Sequence, residues 1–214
     1  MKISGNLINL VAVSHDMSSD RQDILDIISI LDRKTGKGRC SAQDNRTGRN
    51  HLSTSDILFI LEFDDNRLNK YKGNHCRFNE FSFLIGLLES RHIRYKLVDS
   101  ESEKIYDDFF RKSSFLDIIR MNLLSVFRCN LDRKSMREKC RVFYDTVIER
   151  REKEMLKRII HEIDKSEAKS IYIVIGEFHK DAIEAGLKRY SRDIRNHRSL
   201  QRTEINNRPG RDHI

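Results

Sequence analysis

The chain has 214 residues, 35% of them charged and 38% apolar, which excludes a disordered composition and leaves room for one domain with a sizeable core. A formal charge of +8 favours anionic partners. Cys40, Cys76, Cys129 and Cys140 show no C-x-x-C spacing, and a chain of this size needs no disulfide staples.

The excess charge is unevenly placed. Residues 33–55 carry Arg33, Lys34, Lys37, Arg39, Arg46 and Arg49 against Asp44, and the segment from Lys188 onward is equally basic. The body between is near neutral, so the basicity belongs to a loop and a tail. No apolar stretch reaches the length of a membrane span, and the N-terminal stretch shows no cleavage-site pattern. A soluble cytoplasmic protein with no membrane partner is expected.

Residues 6–14, NLINLVAVS, read as a first buried strand that ends at His15, followed by a helix through Leu31 with N-cap candidates Ser18, Ser19 and Asp20. The 33–55 stretch has Gly, Ser and Asn but no apolar periodicity, and reads as a mobile loop. Gly36 and Gly38 do not make a Walker pattern. Residues 56–63, DILFILEF, are the second strand, with Glu62 at its end. A carboxylate closing such an apolar run needs a partner, which marks Glu62 as a site candidate and Arg67 as its ionic partner.

A helix is expected over 79–90, a short strand over 94–98 ending at Asp99, and a long helix over about 103–128. One continuous helix is expected over 132–164, on the stripe Cys140, Tyr144, Val147, Arg151, Met155 and Ile159. Arg151 interrupts that apolar stripe and calls for an anionic partner, of which Glu62 is the natural one. The run Ile171–Ile175 then forms a strand buried on both faces. Gly176-x-x-His179 delivers an imidazole to the sheet's carboxyl edge, where open α/β folds place their sites. A disordered tail is expected over 191–214, leaving a domain at 1–190.

Five elements in order resemble the TraB family, which includes pheromone-shutdown proteins and Tiki proteases, with ChaN-like proteins and erythromycin esterases as distant relatives. They are Ala12-Val13-Ser14-His15, Leu61-Glu62-Phe63-Asp64 with Arg67, the strand ending at Asp99, Arg151-Glu152-Lys153-Glu154-Met155, and Gly176-Glu177-Phe178-His179. Ala12 stands where the family has a first glycine, Ser100 where it often has arginine, and Glu152 where it has Asn or Asp.

The fold expected is α/β: a mostly parallel central sheet with helices around it, two related β-His-helix halves, and one long helix before the last strand. The resemblance implies a hydrolase acting on a peptide or other small ester- or amide-like substrate. His15, Glu62, Arg67, Arg151 and His179 are its candidate catalytic residues, with Asp99 gathered at the same edge. His15, Glu62 and His179 would suit a divalent transition metal such as Mn, Co or Zn, and the same residues support metal-free acid/base chemistry. A ligand-holding module without turnover is the alternative. Weak nucleic-acid contact through the basic loop and tail comes third, since no aromatics interleave with those cations.

Overall fold

In a computed structural model, the chain is described over residues 1–13, 25–27, 29, 32, 53–66, 68–69, 80–100, 102–126 and 132–206. Five strands form one sheet: β1 (Lys2–Ile3), β2 (Asn6–Val13), β3 (Ile57–Leu61), β4 (Arg94–Leu97) and β5 (Ser170–Gly176), in the order β1-β2-β5-β3-β4. All neighbours are parallel except β1 and β2. Those two form a hairpin around Ser4 and Gly5, both at positive φ, a pairing that suits a two-residue turn. This edge hairpin is an addition to the expected strands. The α/β expectation holds as a mixed, mostly parallel sheet.

Helices cover both sheet faces. Ile57, Phe59 and Leu61 of β3, with Tyr172 and Val174 of β5, pack against Phe81, Leu84, Ile85 and Leu88 of α1 (Glu80–Ser90). Leu58, Ile60, Ile171, Ile173 and Ile175 point the other way, the period-2 alternation of a strand. There they meet Met155, Ile159 and Ile163 of a helix before β5, and Ile183 and Leu187 of the helix after it. Every residue of β3 and β5 is buried, which explains their unbroken apolar runs.

Two expected helices are broken in the structure. The stretch expected over 103–128 divides into α2 (Ser102–Lys112) and α3 (Phe115–Val126). Ser114 starts the second: its N–H and hydroxyl donate to Asp117 Oδ2, and its Oγ accepts from the Asp117 N–H, a capping box. The stretch expected as one helix over 132–164 holds α4 (Arg133–Lys139), a break at Cys140, α5 (Arg141–Phe143), a π-helical turn (Tyr144–Glu149) and α6 (Arg150–Lys165). Cys140 has non-helical φ and ψ of −136° and 54°. The apolar stripe spans the π turn, with Tyr144 and Val147 buried in one cluster and Met155 and Ile159 in another.

The expectation of disorder from 191 is also corrected. Helix α7 (Glu177–Asn206) covers 191–206, with Tyr190 and Ile194 packed against the core, and 207–214 lie outside the described residues. They continue the stripe of Ile183 and Leu187, and no proline intervenes before Pro209. Lys188, Arg189, Arg192 and Arg195 are exposed on it. Most of the 33–55 loop lies outside the described residues.

Candidate functional site

Three adjacent parallel strands, β4, β3 and β5, end side by side and deliver Asp99, Glu62 and the Gly176–His179 turn to one edge. The ladder extends past the strand ends: Glu62 N–H donates to Val174 O (2.9 Å), Val98 N–H to Leu61 O (3.0 Å) and Asp99 N–H to Phe63 O (3.2 Å). Glu62 is therefore fixed by backbone on both sides before its side chain makes any contact.

Helix α6 crosses this edge with its first turn. Arg151 forks onto Asp99, Nε to Oδ1 at 2.6 Å and Nη2 to Oδ2 at 2.5 Å, while Nη2 also donates to Glu62 Oε1 at 2.7 Å. Glu62 Oε2 accepts the Gly176 N–H at 2.6 Å. The Arg151 side chain is 16% exposed, Glu62 6% and Asp99 0%, so this is a desolvated cluster rather than a surface pair. Burial opposes the arginine's charge, and the Asp99 and Glu62 carboxylates more than restore it, holding the guanidinium above its ordinary range. Arg158 donates to the Asp99 carbonyl at 2.5 Å, and Ser100 Oγ to Glu154 at 2.8 Å.

One residue on, Glu152 faces His179. His179 Nδ1 lies 2.8 Å from Glu152 Oε1. Arg133, from the first turn of α4, clasps both oxygens of the same carboxylate at 2.6 Å. Burial pushes the Glu152 carboxyl up, but Arg133 and His179 together bring it below the usual carboxylate range. An ionised carboxylate only accepts, so Nδ1 carries a proton and donates it to Glu152. In the neutral ring Nε2 then keeps its lone pair, 3.5 Å from Glu62 Oε1. Arg133 also donates to Phe178 O (2.8 Å) and Tyr144 Oη (3.0 Å), tying α4, the π turn and the start of α7 together.

Of the residues singled out in the sequence, Glu62, Asp99, Arg151 and His179 meet here; His15 and Arg67 lie outside the described residues. Among the described residues the cation on Glu62 is Arg151, the partner expected from the stripe. The register pairs Val13 with Gly176 and Ala12 with Ile175. The strand register is thus offset by one residue from the equivalence of Ala12 with Gly176 that the motif suggests. Glu152 and Arg133 escaped the sequence reading as site members, although Glu152 directly follows Arg151.

Divalent-metal ligation fits the described donors poorly. Both oxygens of Glu62 and both of Asp99 are already occupied by Arg151, Gly176 and the Ser100 N–H, and no group of three or more His, Cys, Asp or Glu among the described residues is arranged to hold an ion. No helix among the described residues is long and apolar enough to cross a membrane. Comparison with family models, curated proteins and solved structures found no match for this chain.

Proposed function

We propose that the chain is a TraB-like hydrolase that works by acid/base chemistry at His179, on a peptide or other small ester- or amide-like substrate. The observation that carries this reading is the order Arg133–Glu152–His179–Glu62. A carboxylate fixes the imidazole's Nδ1–H, and Nε2 is left as the basic atom at the carboxyl edge of the sheet. His179 Nε2 would take a proton from water as the oxygen attacks the carbonyl carbon. The same proton would pass to the leaving group as the carbon–heteroatom bond breaks. Glu152 would steady the imidazolium formed in between, as an orienting carboxylate does in hydrolytic triads. A metal-assisted version would add Lewis acidity. It would need His15 beside His179 and a rearranged Glu62, because Arg151 and the Gly176 amide now each hold one oxygen of that carboxylate.

A module that holds a ligand without turnover is the second reading, favoured by how completely Glu62 and Asp99 are satisfied. Hydrolysis of 4-nitrophenyl acetate and of a peptide anilide by the full chain separates the two. Turnover that falls at least about 100-fold in His179→Ala, with the fold intact by circular dichroism, is the expected result. Rates in His179→Ala equal to those of the parent, or no turnover of either substrate, would defeat the catalytic reading.

A further inference from the structure

On the far side of the helical layer, α2 and α3 expose apolar side chains where the core should have claimed them. Phe110 is 55% exposed, Phe115 75% and Leu116 72%, and the stripe continues outward through Ile119 and Leu123. Leu116, Ile119 and Leu123 stand at i, i+3 and i+7, opposite the α3 face that sends Met121 into the cluster of Ile105, Phe109, Tyr144, Val147 and Ile148. A helix apolar on both faces is unusual at a surface, and a patch of this kind marks an interaction site.

Charge indicates what covers it. Arg111 and Lys112 sit in the corner between Phe110 and Phe115; both are exposed, and neither forms an ion pair with another described residue. The nearest α3 acid, Asp117, caps Ser114 and keeps its negative charge, so it offsets one of these two cations. The corner is therefore apolar at its tip and cationic at its base. Exposure is greatest at the corner and lower further along α3, at 39% for Ile119 and 51% for Leu123, so the corner is the part most open to an apolar phase. A second copy seated symmetrically on this corner would bring two Arg111–Lys112 pairs together, a like-charge contact that opposes such a dimer.

We infer that the α2–α3 corner is an interfacial docking site for an anionic lipid surface. Phe110, Phe115 and Leu116 enter the headgroup–acyl boundary while Arg111 and Lys112 meet lipid phosphates or carboxylates. The chain's overall charge of +8 adds long-range attraction. The expectation of no membrane partner rested on the lack of a spanning stretch, and an interfacial contact needs none.

Sedimentation of the full chain with vesicles tests it, using phosphatidylcholine alone and phosphatidylcholine with about 30% phosphatidylserine at low and high salt. Binding to the anionic vesicles alone, weakened by salt, is expected. Phe115→Ser/Leu116→Ser should reduce it at least tenfold with no change in the melting curve, because both side chains are mostly exposed. Arg111→Glu/Lys112→Glu should do the same by charge, and so serves if the first variant fails to fold. No binding to the anionic vesicles, or binding that survives both double variants, overturns the inference. So does a parent dimer, seen by sedimentation equilibrium, that Phe115→Ser/Leu116→Ser dissociates.

Discussion

Arg151 shows how far one misplaced side chain can be read. An arginine in an apolar stripe must either reach water or meet an anion, and here its side chain is 16% exposed and forks onto Asp99. Glu62 takes a single further bond. Replacing Arg151 with Met would leave two buried carboxylates without their cation, a change that costs on the order of 3–5 kcal/mol. In double-mutant cycles by urea unfolding, Arg151→Met should couple with Asp99→Asn more strongly than with Glu62→Gln, since two of the three bonds go to Asp99. Coupling of about zero in both cycles would reduce the cluster to a packing accident. Glu62, Asp99, Arg151 and His179 were legible because each is a polar residue at an apolar boundary. Arg133 and Glu152 were not, because they lie in a stretch crowded with charged residues where no spacing separates a clasped pair from a solvated one.

At the scale of elements, strands and their order of delivery followed from apolar runs closed by Glu62, Asp99 and Gly176. Helix breaks did not. Met136 stands four residues before Cys140 and packs against the cluster of Tyr144 and Val147, so apolar spacing continues across the break and hydrophobicity alone could not show that α4 is a separate element. At Ser113–Ser114 the signal was present as Ser114-x-x-Asp117, and the apolar residues on either side masked it. The last helix was misread through its charge: Ile194 continues the stripe of Leu187 and Tyr190, while Ser191 Oγ reaches Lys2 O at 3.5 Å. Two truncations check its docking. Removing 196–214 should leave thermal stability nearly unchanged, because Asn196, His197 and Ser199 are exposed and Ile194 is kept. Removing 191–214 also takes Ile194 from the core and should cost about 1–2 kcal/mol. Equal melting midpoints for the two truncated chains would mean that Ile194 contributes nothing.

For the whole molecule, the sheet edge is an ionic seam that joins separate layers. Asp99 and Glu62 come from the sheet, Arg151 and Glu152 from α6, His179 from α7 and Arg133 from α4. Such a seam should make global stability sensitive to acid, and Glu152 sets the sign. Its carboxyl is held below the usual range in the folded chain, where Arg133 and His179 outweigh burial, and returns to about 4.3 when unfolded. The unfolded chain therefore binds that proton more tightly. The stability Glu152 contributes is fully present above about pH 4.3 and is lost as pH falls through the lower folded value. Glu154 shifts the same way, as Ser100 and Arg150 overcome its burial, but its side chain is 39% exposed and solvent discounts its share. Urea midpoints measured between about pH 5.5 and 2.5 should fall on the acid side for the parent chain. Glu152→Gln should lower the midpoint at the upper end, where Arg133 loses its counter-charge, and flatten the acid limb, because glutamine does not titrate. The two curves should then converge as pH drops. Parallel curves across that range would place the acid sensitivity elsewhere and leave the Arg133–Glu152–His179 seam without a part in holding the layers together.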